Sequence, residues 1–355
     1  MKKISRLFAF AIALVSLAMM AACGDNSGGK TSDGYSTELN FFNWTEYMPQ
    51  TVFDAFYDEY GITVNTGEFS SNEELLAKLL AGATSQWDLT VASNYMIPTF
   101  VEKDLIQPLT KENITNFENL DENYISLSSD PNNEYSVPYM VSWTLIGVNR
   151  DLYNKDITTF NDLLDPELKQ SVVVPDDVRE VIAMALVGMG EDPNSKDEVV
   201  VKATAPWLKE LAQNIKLFDS DSPKNAMIAG EVKVAYTWGA EIALAMRENP
   251  SIEVVFPEGV LHCIDSFVIT KDAKHAREAE LFVDFVLRPE ISAMITEDYP
   301  YTNPNRAAQP LLGDEYMNNP ACNVPAEVVE RANFYEELGD AVAVWDELWS
   351  VVKGN

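Results

Sequence analysis

The chain repeatedly sets aromatic side chains beside carboxylates and hydroxyls. Trp44-Thr45-Glu46-Tyr47 puts two aromatics, a hydroxyl and a carboxylate on one short stretch. Ser93 and Tyr95 stand together in the same way, Trp238 closes an apolar run that starts at Val232, and Asp265 lies within Cys263-Ile264-Asp265-Ser266. Carboxylates accept charge-assisted hydrogen bonds from ammonium groups. Aromatic faces attract a cation and cover methylenes, each such contact worth about 0.5–2 kcal/mol. The combination suits a flexible amine. Taken singly, each residue also has a plainer reading. An aromatic at a strand end commonly packs core or rim, Glu46 reads as a solvated loop charge, and Asp265 as a turn former. Asp177-Val178-Arg179-Glu180 after Pro175 has the spacing of a capping box, with Asp177 as the cap and Glu180 reaching back.

Other chemistries lack their residues. The two histidines, His262 and His275, have no Cys, Asp or Glu neighbour at metal-site or nucleophile-pair spacing. Gly188-Met189-Gly190 ends a helical segment and lacks the third glycine of a dinucleotide loop, and no phosphate-cradling P-loop occurs. Carboxylate pairs are expected by chance among 56 acidic residues, so a secreted carboxylate-pair hydrolase is the weaker alternative. No catalytic residue, metal or cofactor is assigned. Lys and Arg number 25 against 56 Asp and Glu, a net charge of −31. That balance excludes nucleic acid, whose binding needs Lys and Arg on phosphates. It points to neutral or cationic partners.

The elements that must position these residues alternate. Leu39 to Trp44 reads as a strand, and Pro49 to Tyr60 as a helix with Val52, Phe53, Phe56 and Tyr60 at helical spacing and Gly61 as its stop. Ile62 to Phe69 is strand-like. A capping box at Ser71-Asn72-Glu73-Glu74 opens a helix to Gly82, and Trp87 to Ala92 is a further strand. Ser171 to Val174 and Val232 to Trp238 read as strands; Asp177 to Gly188, Ala276 to Leu287 and Ala326 to Lys353 read as helices. This alternation predicts an α/β fold with largely parallel pairing. In such sheets ligands bind beyond the carboxyl ends of strands, where the aromatic–acid stretches fall. At about 150 residues per domain, 355 residues suggest two.

The N-terminus is expected to stand outside this body. Lys2, Lys3 and Arg6 precede an apolar run from Leu7 to Ala22, too short for a comfortable membrane span. Met20-Ala21-Ala22-Cys23 resembles a bacterial lipobox, which implies a signal peptide over residues 1–22 and lipidation of Cys23; an ordinary cleaved signal is the alternative. Residues 23–37 read as a flexible, lipid-anchored tether. Removing residues 1–22 takes away three positive charges and no negative one, carrying the charge from −31 to −34. Cys263 and Cys322 pair or stay free; spacing does not decide.

Several stretches resemble the spermidine/putrescine-binding proteins of bacterial polyamine ABC importers. They are Phe42-Asn43-Trp44-Thr45-Glu46-Tyr47, Pro131-Asn132-Asn133-Glu134-Tyr135-Ser136-Val137-Pro138-Tyr139, Ile146-Gly147-Val148-Asn149, Asp176-Asp177-Val178-Arg179-Glu180-Val181, Gly230-Glu231-Val232, Asp265-Ser266 and Pro304-Asn305. The resemblance runs in order from about residue 38 to the C-terminus. It implies a two-lobed, type II periplasmic-binding-protein fold, residues 38–143 plus 264–311 forming one lobe and 144–263 plus 312–355 the other, with the ligand cleft between them. It implies that Trp44, Tyr47, Tyr95, Trp238 and Tyr301 line the cleft, that Glu46, Asp177, Glu180 and Asp265 take ammonium groups, and that Thr45 and Ser93 add hydroxyls. For Asp177 and Glu180 this displaces the purely structural reading. Two positions depart from the family pattern. Cys263 stands where it has Trp, and Phe334-Tyr335 where it has Trp-Gln, with Tyr335 expected to compensate by its hydroxyl. The resemblance implies a monomeric, exported, membrane-anchored receptor that hands a polyamine to permease and ATPase subunits. Retained Thr45 and Glu46 favour spermidine over putrescine, and a receptor for another cationic amine is the alternative within the class.

Overall fold

The computed structural model describes residues 29–354; the expected leader 1–22, the lipidation residue Cys23 and residues 24–28 lie outside the described residues. Residues 29–37, read as the end of a tether, are docked. Lys30 and Ser36 form an antiparallel bridge, the Ser36 N–H donates to Glu278 Oε1 at 2.5 Å, and Arg277 lies 4.1 Å over the Tyr35 ring.

The strands are β1 (Glu38–Trp44), β2 (Thr63–Phe69), β3 (Leu89–Ser93), β4 (Ser136–Asn149), β5 (Val172–Val174), β6 (Ile215–Phe218), β7 (Val234–Trp238), β8 (Ile252–Val255), β9 (Leu261–Ile269) and β10 (Asn333–Phe334). Local sequence explains the joints. The helix Gln50–Tyr60 buries Val52 and Phe56 and stops at Gly61, whose φ of 67° is the left-handed value that glycine adopts freely. The helix Asn72–Leu80 is capped by Ser71 Oγ, which accepts from the Glu74 N–H. The return bond of the expected capping box is displaced by one residue, since Glu74 Oε2 accepts from the Ser70 N–H at 3.0 Å.

The hydrogen-bonded order is β2-β1-β3-β9-β4-β7-β5-β6, with β10 on β9 and β8 on β4. Pairing is mixed, which corrects the expectation of largely parallel strands. The outer pairs β1–β2, β1–β3, β5–β6 and β5–β7 are parallel, while β3–β9, β4–β7, β4–β8 and β4–β9 are antiparallel. The physical reason is the length of β4 and β9. They pair antiparallel from Ser136–Val268 to Thr144–Leu261, with a register shift between Pro138 and Met140. At one end β9 joins β3; at the other β4 joins β7. These two strands therefore join the β1–β3 part of the sheet to the β5–β7 part, with Ser142 opposite Cys263 in their shared ladder.

Cores form around the crossing. Phe41, Phe56, Phe267 and Phe282 pack on one side, with Phe56 and Phe282 edge to face at 4.9 Å. Trp143, Leu145, Ala235, Ile242 and Cys322 pack on the other. A third cluster joins Leu75 and Phe100 to Val181, Leu186 and Trp345, with Tyr95 meeting Tyr335 at 5.7 Å.

The expected long C-terminal helix is divided. A turn of helix at Ala326–Val329 gives way to β10, and a second helix runs Val342–Lys353. Asn333 and Phe334 are drawn into register with Leu261 and His262, and Arg331 donates to the carbonyls of Pro257 and Phe256. Long-range pairing overrides the helical pattern there.

Candidate functional site

The carboxyl ends of β1, β3, β6 and β7 and the crossing of β4 with β9 open on one shared cleft. Eleven of the twelve residues expected to bind ligand line it: Trp44, Thr45, Glu46 and Tyr47 after β1, Ser93 and Tyr95 at β3, Asp177 and Glu180 after β5, Trp238 at the end of β7, then Asp265 and Tyr301. Tyr335 does not reach the cavity. It is wholly buried behind the wall, where its hydroxyl donates to Glu180 Oε2 at 2.6 Å.

Asp265 holds the centre of one wall. Ser93 Oγ donates to its Oδ1 and the Tyr47 hydroxyl to its Oδ2, both at 2.6 Å. Asn72 Nδ2 in turn donates to Ser93 Oγ and the Tyr95 hydroxyl. Tyr139 donates to the Tyr47 carbonyl at 2.6 Å, and the Tyr47 and Tyr301 rings meet edge to face at 4.7 Å. The carboxylate is therefore fixed in place. Burial pushes its pKa up, and the two hydroxyls pull the other way.

The facing carboxylates come from one helix terminus. Asp177 caps the helix Val178–Gly188, its Oδ1 accepting from the Arg179 and Glu180 N–H groups at 2.8 and 3.1 Å. Glu180 does not reach back as the capping-box spacing predicts. Its Oε2 instead accepts from Tyr335 and, at 3.1 Å, from Tyr236. Burial and then the charge of Asp177 push Glu180 up to about 8, against the pull of these hydroxyls. Among the described residues, Asp177, Glu180 and Asp265 form no ion pair with a basic side chain, whereas Glu46 and Glu241 both pair with Lys224.

Cys263 sits between the two groups. Its thiol lies 3.8 Å from Ser93 Oγ and 3.9 Å from Asp265 Oδ1. Burial first, then Asp265 and Glu180, push it well above the ordinary thiol range. Cys263 and Cys322 are both buried and unpaired, so the cavity wall carries a neutral thiol where the family pattern carries an indole.

Sequence reasoning passed over Ser70, Asn72, Ser142, Ser220, Asp221 and Glu241, which complete the lining. Ser70 and Asn72 follow β2, Ser220 and Asp221 follow β6, and Glu241 follows β7, so the strand-end rule applied to every strand finds most of them. Lys224 carried no signal. Two polar atoms of the lining, Trp44 Nε1 and Ser220 Oγ, are buried without a hydrogen-bond partner. Nothing placed here resembles a metal centre: no group of three or more His, Cys, Asp or Glu among the described residues is arranged to hold one. No helix among them is long and apolar enough to cross a membrane. The arrangement can hold cationic groups against carboxylates while aromatic rings enclose the carbons between them.

The model of the bacterial extracellular solute-binding protein family matches residues 51–325. The spermidine/putrescine-binding periplasmic protein of Salmonella typhimurium is 36% identical over 319 residues, covering 89% of this chain and 92% of that protein. A solved structure from Listeria monocytogenes superposes with a TM-score of 0.86 at 31% identity, over 90% of this chain and 99% of that one. The spermidine/putrescine ABC transporter substrate-binding protein of Streptococcus pneumoniae superposes with a TM-score of 0.76 at 29% identity, over 90% and 99%.

Proposed function

This chain belongs to the bacterial extracellular solute-binding protein family, and from that membership we propose that it captures a polyamine outside the cytoplasm and delivers it to an ABC importer. Proteins of this kind bind and release solutes for transport. One observation carries the choice of solute. Asp265 on one wall and the Asp177–Glu180 pair on the other are buried carboxyl groups that form no ion pair among the described residues, held among Trp44, Tyr47, Tyr95, Trp238 and Tyr301. A buried, unpaired charge is costly, and an aliphatic amine with separated ammonium groups relieves it at both walls while its methylenes lie on the rings.

The ligand-binding roles of Trp44, Thr45, Glu46, Tyr47, Ser93, Tyr95, Asp177, Glu180, Trp238, Asp265 and Tyr301 form part of this reading, with Tyr335 acting through Glu180. So do the lobes 38–143 plus 264–311 and 144–263 plus 312–355, closing about β4 and β9. The receptor is a monomer tethered by a lipid on Cys23 and handing its cargo to permease and ATPase subunits. Energy for transport comes from those partners.

Isothermal titration with putrescine, spermidine and an uncharged-side-chain amino acid tests the function. Binding of either polyamine at micromolar concentration or tighter, with none of the amino acid, is expected; no heat from both polyamines would refute it. Asp265→Asn keeps the shape of that side chain and removes its charge. It should weaken polyamine binding about 100-fold, within the range for truncating a buried charge pair. Unchanged affinity would mean that the ligand lies elsewhere.

A further inference from the structure

We infer that Lys224 is a resident ammonium that fills one charge position of the cleft, so that this receptor selects a diamine over a triamine. The inference rests on the polyamine reading above. Lys224 opens the helix Lys224–Ile228 at the margin of the cavity. Its Nζ donates to Glu46 and to both oxygens of Glu241, at 3.0 and 3.2 Å. Both acceptors line the cavity, and Glu241 is almost wholly buried.

Glu46 and Glu241 are satisfied from within the protein, by one side chain. Asp265 and the Asp177–Glu180 pair are not. Asp221, also on the lining, is exposed to solvent and accepts from Ser70 Oγ, so two buried sites remain for ligand ammonium groups, one on each wall, and a short diamine of the putrescine type supplies two. A triamine such as spermidine carries a third ammonium. Reaching Glu46, it meets the Lys224 ammonium already in possession, and like charges at close range repel. Glu46 thus lines the site as a carboxylate already paired, touching the ligand without taking one of its ammonium groups. With Lys224 bound to it, Glu46 no longer weighs for spermidine.

The arrangement is built. Glu46 stands in the turn after β1 with a left-handed φ of 50°, a conformation costly for a side chain with a Cβ, and Lys224 bonds it there across the cleft from the opposite lobe. Glu241 has no other cation among the described residues, so Lys224 also keeps that carboxylate from being buried alone.

Titration of putrescine and spermidine into the unmodified protein and Lys224→Met tests this. The unmodified protein should bind putrescine at least about tenfold more tightly than spermidine. Lys224→Met, which keeps the aliphatic stem and removes the charge, should move the ratio of dissociation constants about tenfold or more toward spermidine. Because Lys224→Met leaves Glu241 unpaired, Lys224→Met/Glu241→Gln is measured alongside, and melting curves establish that each variant folds. Lys224→Arg, retaining the charge, should keep the diamine preference. Polyamine binding with a ratio that neither Met variant moves overturns the role of Lys224 and leaves the polyamine reading intact. Failure of all proteins to bind either amine overturns both.

Discussion

On the proposed function, Glu180 couples ligand capture to pH. It is a buried carboxyl beside Asp177, pushed up to about 8 from an ordinary value of about 4.3. In the ligand-free folded protein it therefore holds a proton that the unfolded chain has released across that interval. Its contribution to stability is complete below about 4.3 and is lost as pH rises through about 8. Ligand binding has the opposite sign, because an ammonium needs the ionised form. Polyamine affinity should climb between pH 6 and pH 8.5, and binding at pH 7 should release a proton. Titration at pH 7 in two buffers of different ionisation enthalpy measures that release directly. Glu180→Gln should flatten both the fall of the ligand-free melting temperature and the rise of affinity over this interval. Retention of the full pH dependence in Glu180→Gln would assign it to another group.

At the scale of the element, the start of the helix Val178–Gly188 carries two functions in one side chain. Asp177 caps the helix through its Oδ1 and faces the cleft. These separate by substitution. Asp177→Ser retains a capping oxygen without the charge, so it should preserve the melting temperature and lose polyamine affinity at least tenfold. Asp177→Ala should lose the same affinity and, in addition, about 1 kcal/mol of stability. Equal stability of the two variants by denaturant unfolding would remove the capping role. The same element shows what sequence can carry. Asp177 as cap and the aromatic–acid stretches at strand ends were legible because helix capping and strand alternation are local. Glu180 reaching Tyr236 and Tyr335 was not, since those partners arrive from 56 and 155 residues away. Nor was the broken C-terminal helix, where Phe334 answers to β9 rather than to its own neighbours. Lys224 lies 178 residues from Glu46 and interrupts no pattern, so only the fold reveals it.

On the scale of the molecule, the net charge of −31 and the enclosed cleft act on different steps of binding. Most of the acidic side chains are solvated, and their field reaches a polycation at a distance before any contact forms. On the proposed function, the cleft carboxylates act only after the ligand has entered. On the proposed lobe division, contacts at the mouth of the cleft include Ser70 Oγ donating to Asp221 Oδ1 at 2.8 Å and Lys224 bonding Glu46. Salt separates the two contributions, because screening shortens the reach of exposed charges to about 10 Å at 0.1 M and about 3 Å at 1 M, while pairs shielded from solvent are screened far less. Trp44 and Trp238 line the cleft, so their fluorescence under rapid mixing reports the rates of capture and release. Raising salt from about 0.01 M to about 1 M should slow capture at least tenfold and change release by less than about threefold. A loss of affinity residing mainly in faster release would mean that the bound ammonium groups remain open to solvent, contrary to a closed two-lobed receptor. Slower capture with constant release would place the chain's acidity in the approach of the ligand and its retention in Asp265, Asp177 and Glu180.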